Sequence, residues 1–288
     1  MREIRGRIKS VQSTQQITRA MKMVSAAKLR RSQRTGESMK VFSDRIREIL
    51  DSLLTGANVS HPLLTPRPEV KKVAYVLFMG NRGLCGSYHT NLIRYMQALL
   101  EETDRETRVL TVGKWGDDSL AQAGISVAEQ YLDSGDLAAM EDAAAIAKRA
   151  KELFLSGEVD EVYLVFQRYV SALQQTPDRV RLLPASPPRR HAAGERQYIF
   201  EPSREAVLDH AVQLYVNCEV FAALQEALAS EQAARLTAMT AATDATDELI
   251  GQLKLDLNRA RQAAITTEIS EIVGGAAALK RKDDPSAQ

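Results

Sequence analysis

The last third of the chain carries apolar or small residues at alternating spacings of four and three. The series keeps one face of a helix in register over about eight seven-residue repeats, with one slip where two spacings of four follow each other. This pattern predicts one helix over 203–282, roughly 120 Å long, that packs against another helix along its length. The positions on this seam are Val207, Ala211, Leu214, Cys218, Phe221, Gln225, Leu228, Gln232, Leu236, Met239, Thr243, Thr246, Ile250, Leu253, Leu257, Ala260 and Ala264.

The first segment of the chain has the same helical spacing. One stripe runs through Ile4, Ile8, Val11, Gln15 and Thr18, and a second through Ile17, Met21 and Val24. No proline occurs before Pro62 or between Pro202 and Pro285. Because proline breaks helix interiors, both proline-free ends are free to form long helices, here over 1–57 and 203–282. We expect them to pair as a long antiparallel coiled coil, with close approach at small residues: Ala233, Ala234, Ala238, Ala241, Ala242 and Ala245.

The middle of the chain, about 70–200, alternates between apolar, β-rich runs and helical spacing. This alternation predicts a central Rossmann-like α/β domain with a largely parallel sheet. The fold class is therefore α/β, with the coiled coil attached. The predicted strands are Val73–Met79, Arg108–Val112, Val159–Tyr169 and, more weakly, Arg179–Leu183. The predicted helices are His89–Leu100, Trp115–Ala123 and Leu137–Leu155, and Pro184–Arg196 is a predicted loop.

Charge is distributed unevenly along the 288 residues. Lys and Arg number 38 and Asp and Glu 37, a net charge of +1, yet residues 1–36 hold ten Lys or Arg and a single acid, Glu3. Such a segment can bind nucleic acid electrostatically. However, its charges share the segment with a regular apolar stripe, and no aromatic residues interleave. The alternative is a basic helix face that meets an acidic protein surface, so we expect no nucleic-acid partner.

Cysteine and histidine usage excludes several classes of protein. The two cysteines, Cys85 and Cys218, form no disulfide framework, and the four histidines have no metal-ligand spacing. We therefore expect no metal and no cofactor. The longest strongly apolar run, 73–79, is far shorter than a spanning helix. We expect a chain of a reducing compartment that docks on a membrane complex at most.

A glycine-rich segment, Gly80–Gly86, follows the first predicted strand and precedes a helix, where phosphate-binding loops occur. Its spacing matches neither the dinucleotide fingerprint nor the P-loop, and no lysine follows. The alternatives are a nucleotide site and a tight turn that needs glycine dihedral angles. Cys85, with His89 one turn later, is either a nucleophile with its base or a small buried thiol.

Five segments of the chain resemble the gamma subunit of F-type ATP synthase. They occur in that family's order over nearly the whole length, and the last of them is highly specific. The segments are Ile17–Lys28, Arg82–Gly86, Tyr198–Ser203, Ala229–Met239 and Asn258–Ile269.

This resemblance implies a central-stalk rotor that is not itself catalytic. The paired helices would turn inside a ring of three alpha and three beta subunits, and the α/β domain would lie beside the epsilon subunit and the c-ring. Proton flow through the membrane would rotate this stalk and drive ATP synthesis, and hydrolysis would reverse it. The resemblance places the chain at the cytoplasmic face of a bacterial inner membrane, in contact with the membrane only through the Fo sector.

The resemblance also implies roles for individual residues. An Arg-Gln pair of the family contacts a loop of the beta subunit and corresponds to Arg261 and Gln262. Residues implicated in coupling are Thr266 and Glu268, with Lys22 and Met23 opposite them on the first helix. The family's c-ring contact corresponds to Tyr198 and Glu201, and its glycine loop to Arg82, Gly83, Leu84, Cys85 and Gly86.

Three features depart from the family pattern. Asn81 stands where the family usually has an acid, His89 stands where it usually has Asn, and Pro187–Arg190 is an unusual loop. All three lie in the middle domain, so the epsilon and c-ring contacts are affected first. They are also compatible with an alternative, the same role in a divergent and sodium-coupled ATPase.

Overall fold

A computed structural model describes residues 1–54, 60–115, 117–131, 139–186 and 200–282. The helices are α1 (Arg2–Leu54), α2 (Tyr88–Glu101), α3 (Asp117–Gln122), α4 (Met140–Leu155) and α5 (Arg204–Lys282), with a 3-10 helix at Pro62–Leu64. The strands are β1 (Lys72–Phe78), β2 (Glu106–Val112), β3 (Val127–Tyr131), β4 (Glu161–Tyr169) and β5 (Gln175–Leu183).

These elements form two compact units. Among the described residues, the smaller unit consists of 1–22 and 239–282, and the larger unit lies within 23–238. Both α1 and α5 contribute residues to each unit. The ranges expected from the sequence, 1–57, 70–200 and 203–282, divide the chain by element type, whereas these units group residues by proximity.

The larger unit contains one five-stranded sheet in the order β3-β2-β1-β4-β5. The first four strands are parallel, with Val76 paired to Leu110 on one side and to Leu164 on the other. Edge strand β5 is antiparallel to β4, with Leu164 opposite Val180. The predicted parallel sheet is therefore confirmed, with one antiparallel edge.

Both faces of the sheet are covered, which explains why β1 reads as a continuous apolar run. Ala74, Val76 and Phe78 point to a core shared with α4 and with parts of α1 and α5. The alternate residues of β1 point to a second core under α2 and Leu120 of α3.

Within the larger unit α1 and α5 run antiparallel. Ser32 Oγ lies 2.9 Å from Gln225 O and 2.8 Å from Gln225 Oε1. Further along α1 and further back along α5, Arg47 Nη2 donates to Glu219 Oε1 at 2.6 Å. At the end of α1, the Arg204 guanidinium donates to the carbonyls of Ser52 and Leu53, so the first residue of α5 caps α1.

The smaller unit repeats this antiparallel pairing. Thr243 Oγ1 donates to Thr18 Oγ1 at 3.0 Å, and Arg19 forms an ion pair of 3.2 Å with Asp247. Gln15 also donates to Asp247. Every seam position predicted from Met239 onward is buried or half-buried, so this part of the predicted seam is confirmed.

Some details of the predicted seams are wrong. Ile17 and Val24 of the second stripe are 60% and 53% exposed, because the first stripe alone continues as the buried seam of α1. Ala241 and Ala245 are also exposed, because they lie off the buried seam that passes through Met239, Thr243 and Thr246. The α1 seam keeps its spacing through small polar residues, including Ser25 and Ser32.

The middle of the chain differs from prediction at its polar edges. Strand β3 was not predicted, and β5 begins four residues earlier than expected. Helix α3 begins at Asp117 and α4 at Met140, and residues 132–138 and 187–199 lie outside the described residues. None of the described helices is long and apolar enough to cross a membrane.

Candidate functional site

The glycine loop lies at the carboxyl ends of the parallel strands, between β1 and α2. It is held by a buried ion pair from α5 that the sequence analysis did not single out. Arg235 Nη2 lies 2.5 Å from Glu231 Oε1, and the two side chains are only 8% and 10% exposed. The same guanidinium donates to the carbonyls of Arg82 and Gly83 at 2.9 and 3.2 Å. We call this arrangement, Glu231 and Arg235 with the two loop carbonyls, the loop clamp.

The glycines of the loop are required mainly for close approach. A Cβ at Gly80 would lie 2.7 Å from the carboxylate carbon of Glu231, and one at Gly83 would lie 2.9 Å from the Trp115 ring. The left-handed backbone falls instead at Gly86 and at Leu84, with φ of 59° and 61°. The expected tight turn is present, but one of its two left-handed positions is occupied by a residue other than glycine, Leu84.

The loop clamp argues against nucleotide binding. A phosphate needs open backbone N–H groups and a positive potential. Here a carboxylate, Glu231, fills the space beside Gly80, and the nearby cation, Arg235, is already bound to it. The nucleotide alternative is therefore disfavoured by charge and by space.

Cys85 and His89 also lack the properties of a catalytic pair. Cys85 is 1% exposed, and burial raises the pKa of its thiol to about 11. Burial lowers the pKa of His89 to about 4. The hydrogen bond to the Arg82 carbonyl raises this pKa and so opposes the shift only in part. Both groups are therefore neutral at pH 7. His89 Nε2 lies 3.3 Å from Arg82 O, and the imidazole ring stacks on Trp115 with 5.1 Å between the ring centroids. The structure supports the small buried thiol.

A chain of buried hydrogen bonds connects α5 to the sheet beside the loop clamp. Ser230 Oγ donates to Gln167 O at 2.7 Å, and Gln167 Nε2 donates to Tyr88 O at 2.6 Å. Tyr88 Oη in turn lies 3.3 Å from the carbonyl of Ala227, which returns the chain to α5. Sequence reasoning missed Gln167 because nothing in a strand pattern marks one buried amide. Glu231 and Arg235 had a local signal, since charges four residues apart lie on a helix face that is otherwise small and apolar.

The outer side of the glycine loop is exposed. Leu84 is 65% and Trp115 42% exposed, and Arg82 is exposed as well. Asn81, the departure from the family's acid, accepts a hydrogen bond from the Lys114 backbone at 3.0 Å. The loop thus has an inner side that is held by α5 and an exposed outer side with apolar and basic character.

The predicted coupling residues of α5 lie on an exposed part of that helix. Arg261, Gln262, Thr266 and Glu268 are all exposed, and the Thr266 hydroxyl donates to the Gln262 carbonyl at 3.0 Å. Residues 261–276 are exposed except for Ala264.

The structure does not bring Lys22 opposite Thr266 and Glu268. The pairing of residue 18 with 243, and of 15 with 247, places Lys22 near residues 239–240. Thr266 lies about 40 Å further along the helix. Expecting these residues opposite one another was wrong, because the register of the helices is offset. Lys22 is half-buried and Met23 is 67% exposed.

The predicted c-ring contact is only partly described. Glu201 is exposed and directly precedes the turn into α5, where Ser203 Oγ accepts a hydrogen bond from Ala206 N at 3.2 Å. Tyr198 and the loop Pro187–Arg190 lie outside the described residues. Within the described part of the chain no group of three His, Cys, Asp or Glu side chains is placed to hold a metal ion.

Comparison with known proteins gives one family. The family model for ATP synthase matches residues 1–279. The chain is 45% identical over 280 residues to the ATP synthase gamma chain of Desulfitobacterium hafniense, covering 97% of this chain and 99% of that one. It is 46% identical over 281 residues to the gamma chain of Desulforamulus reducens, with the same shares covered. It also shares its fold with a chain of the Euglena gracilis mitochondrial ATP synthase rotor, at a TM-score of 0.67 and 20% identity, covering 92% of this chain and 98% of that one.

The fold and these relatives define a class of protein built from a helical pair and an α/β domain. The chain belongs to the ATP synthase gamma-chain family. The comparisons give no support to the sodium-coupled alternative.

Proposed function

We propose that this chain is the central rotor of an F-type ATP synthase. It couples proton flow through the membrane to ATP synthesis or hydrolysis in a ring of alpha and beta subunits, and it has no catalytic site of its own. The observation that carries this proposal is α5, an uninterrupted 79-residue helix in a chain of the gamma family. The complex would sit at the cytoplasmic face of a bacterial inner membrane, which the chain touches only through its partners.

The loop clamp and the hydrogen-bond chain suit α5 to carrying torque. A rotor must transmit force from the domain that receives it to the helix that delivers it. Buried, charge-assisted hydrogen bonds are stronger than neutral ones and fix geometry. Glu231, Arg235 and Ser230 tie α5 to the glycine loop and to β4, so a force on the sheet passes directly to the helix.

The exposed end of α5 supplies the contact with the beta subunit. Arg261 and Gln262 project from a helix whose surroundings are open, and both carry hydrogen-bond donors. One charge-assisted bond of this kind contributes about 1.5–3 kcal/mol and can be made and broken at each step. Thr266, Glu268, Lys22 and Met23 contribute at separate positions, since the register places Lys22 far from the first two.

The α/β domain supplies the contacts at the other end of the rotor. Glu201 and Tyr198 face the c-ring in this proposal, and the exposed side of the glycine loop at Arg82 and Leu84 meets a protein partner. The epsilon subunit packs beside the same domain.

Substitution at the end of α5 tests the contact with the beta subunit. We expect Arg261→Ala or Gln262→Ala to lower proton-driven ATP synthesis about tenfold in membrane vesicles, as loss of one such bond implies. The matched control is Arg259→Ala, an exposed neighbour whose ion pair with Asp256 at 3.7 Å stays within α5. Synthesis that is unchanged in both test variants contradicts the contact.

The rotor role itself is tested by composition. We expect the tagged chain, purified from gently solubilised membranes, to bring down three alpha and three beta subunits per copy, together with epsilon and c. Recovery of the chain by itself from metabolically active cells would overturn the proposal.

A further inference from the structure

An unassigned cavity of about 680 Å³ lies within the larger unit, between α1, α5 and the β4–β5 edge of the sheet. Its apolar wall is formed by Met39, Leu164, Phe166 and Val180. This volume falls in the range of small-molecule sites, which are typically apolar with a few polar groups that fix orientation.

Two residues of the cavity lining each have one buried side-chain atom without a hydrogen-bond partner. These atoms are Arg47 Nε and Glu226 Oε2. Only four buried side-chain atoms of the described residues lack a partner, and two of the four belong to residues that line this one cavity. Because unpaired buried polar groups are rare and destabilising, their concentration here indicates a group that the cavity accepts.

The charged residues around the cavity indicate which kind of ligand group it can bind. Arg47 is already bound by Glu219 at 2.6 Å and Asp44 at 3.3 Å, and Arg168 is bound by Asp178 at 2.7 Å. Lys40 and Glu37 of the lining are exposed to water, which screens them.

Glu226 is left as the half-buried acid of the lining with an unpaired oxygen. Burial raises the pKa of its carboxyl group, and the nearby Arg168 only partly opposes this shift. An isolated buried carboxylate is unfavourable, and pairing with a cation relieves this cost.

We propose that this cavity binds a small amphipathic organic amine, with its ammonium group at Glu226 and its apolar body against Leu164 and Phe166. Arg47 Nε then remains as a donor for a hydroxyl or carbonyl group on the same ligand. Because α1, β4 and α5 all contribute to the lining, a bound amine also holds α1 against the sheet. This inference does not rest on the proposed rotor function.

Calorimetric titration of the full chain with octylammonium tests the proposal. 1-Octanol, of the same length without the charge, and octanoate, with the opposite charge, are the comparison ligands. We expect octylammonium to bind at least about tenfold more tightly than either, as one charge-assisted bond implies.

Three variants locate the binding. Glu226→Gln keeps the shape and removes the charge, and it should weaken octylammonium about tenfold while leaving 1-octanol unchanged. Glu205→Gln, an exposed acid in the first turn of α5, is the matched control and should change nothing. Ala222→Leu adds bulk at the cavity lining and should weaken both ligands.

Several outcomes would overturn the proposal. They are equal affinity for octylammonium and 1-octanol, full octylammonium binding by Glu226→Gln, and full binding by Ala222→Leu. Each variant is first checked for an unchanged thermal unfolding midpoint, and one that fails is replaced by Glu226→Met, which also removes the charge, or by Ala222→Val. If the assembled complex no longer binds octylammonium that the free chain binds, a partner segment occupies the cavity and the small-ligand assignment is wrong.

Discussion

Arg235 and Glu231 contribute more than the glycines do to fixing the conformation of the glycine loop. Each is about nine-tenths buried, and each neutralises the other. Removing one member of such a pair leaves a buried charge without compensation, which is far more costly than removing both.

The loop clamp therefore gives an asymmetric prediction. We expect Arg235→Met to lower the free energy of unfolding of the full chain by about 3–5 kcal/mol, because it strands Glu231 and frees the carbonyls of Arg82 and Gly83. The double variant Glu231→Gln with Arg235→Met should recover part of that loss. Urea titration followed by circular dichroism measures both.

Arg259→Met is the control for the loop clamp, since Arg259 is exposed on the same helix. It should alter the free energy of unfolding by less than about 0.5 kcal/mol. A similarly small effect of Arg235→Met would mean that the loop does not depend on the clamp.

His89 makes stability depend on pH. Burial lowers its pKa from 6.5 to about 4 in the folded chain, so the unfolded chain binds a proton more readily. The stabilisation is complete above pH 6.5 and is lost as pH falls toward 4, by about 3 kcal/mol in all. We expect His89→Asn to remove this part of the pH dependence, whereas His210→Asn, at an exposed position, should leave it intact. Equal slopes of stability against pH in all three proteins would contradict the assignment.

The packing between helices α1 and α5 includes several small and deeply buried residues. Ala233 is fully buried, and Ser25 and Ser32 of the α1 seam are 2% and 4% exposed. At these positions the helix pair leaves no space for a larger side chain, although leucines occupy other seam positions such as Leu236 and Leu253.

Overpacking tests this account of the helix pair. We expect Ala233→Leu to destabilise the full chain by about 1–3 kcal/mol, because the larger side chain has no free space at this fully buried position. Ala241→Leu should change stability by less than about 0.5 kcal/mol, because Ala241 is exposed. The thermal unfolding midpoints of the two variants, measured side by side, test this difference in stability. If Ala233→Leu were stabilising, the seam would be looser than the structure indicates.

The elements that sequence predicts best are those whose burial is regular. Spacing and absent prolines place both long helices, and β1 is evident because both of its faces are covered. Strand β3 is not evident from the sequence, because none of its residues is fully buried and its apolar pattern is therefore weak. Strand β5 contains Pro177 and charged residues, which an antiparallel edge tolerates but a strand pattern does not reveal.

Contacts between distant parts of the chain explain the remaining misses. The segment containing Glu231 and Arg235 is visible as a motif, yet nothing local says that it meets Gly80 and Gly83. The offset that separates Lys22 from Thr266 is likewise a matter of register. A heptad pattern repeats every seven residues, so it accommodates several registers equally well.

At the scale of the molecule, the helix end beyond residue 260 has apolar side chains and little to bury them. Ile265, Ile269, Ile272 and Val273 are 47% to 71% exposed. An exposed apolar surface of this kind marks a site of protein contact. A helix gains most of its stability from packing, so a segment exposed around its circumference opens readily.

Amide hydrogen exchange connects this helix end to the proposed rotor. We expect residues 261–276 to exchange rapidly in the isolated chain and at least about tenfold more slowly in the assembled complex, where subunits of the ring surround them. Buried segments such as β1 and residues 227–235 of α5 serve as the internal control, because their protection comes from within the chain and should not change. Equal exchange of 261–276 in both states would mean that the apolar end of α5 stays in solvent after assembly. Such a result would contradict the proposed contact of Arg261 and Gln262 with the beta subunit. A partner bound to these side chains would also protect the backbone amides of the helix segment that carries them.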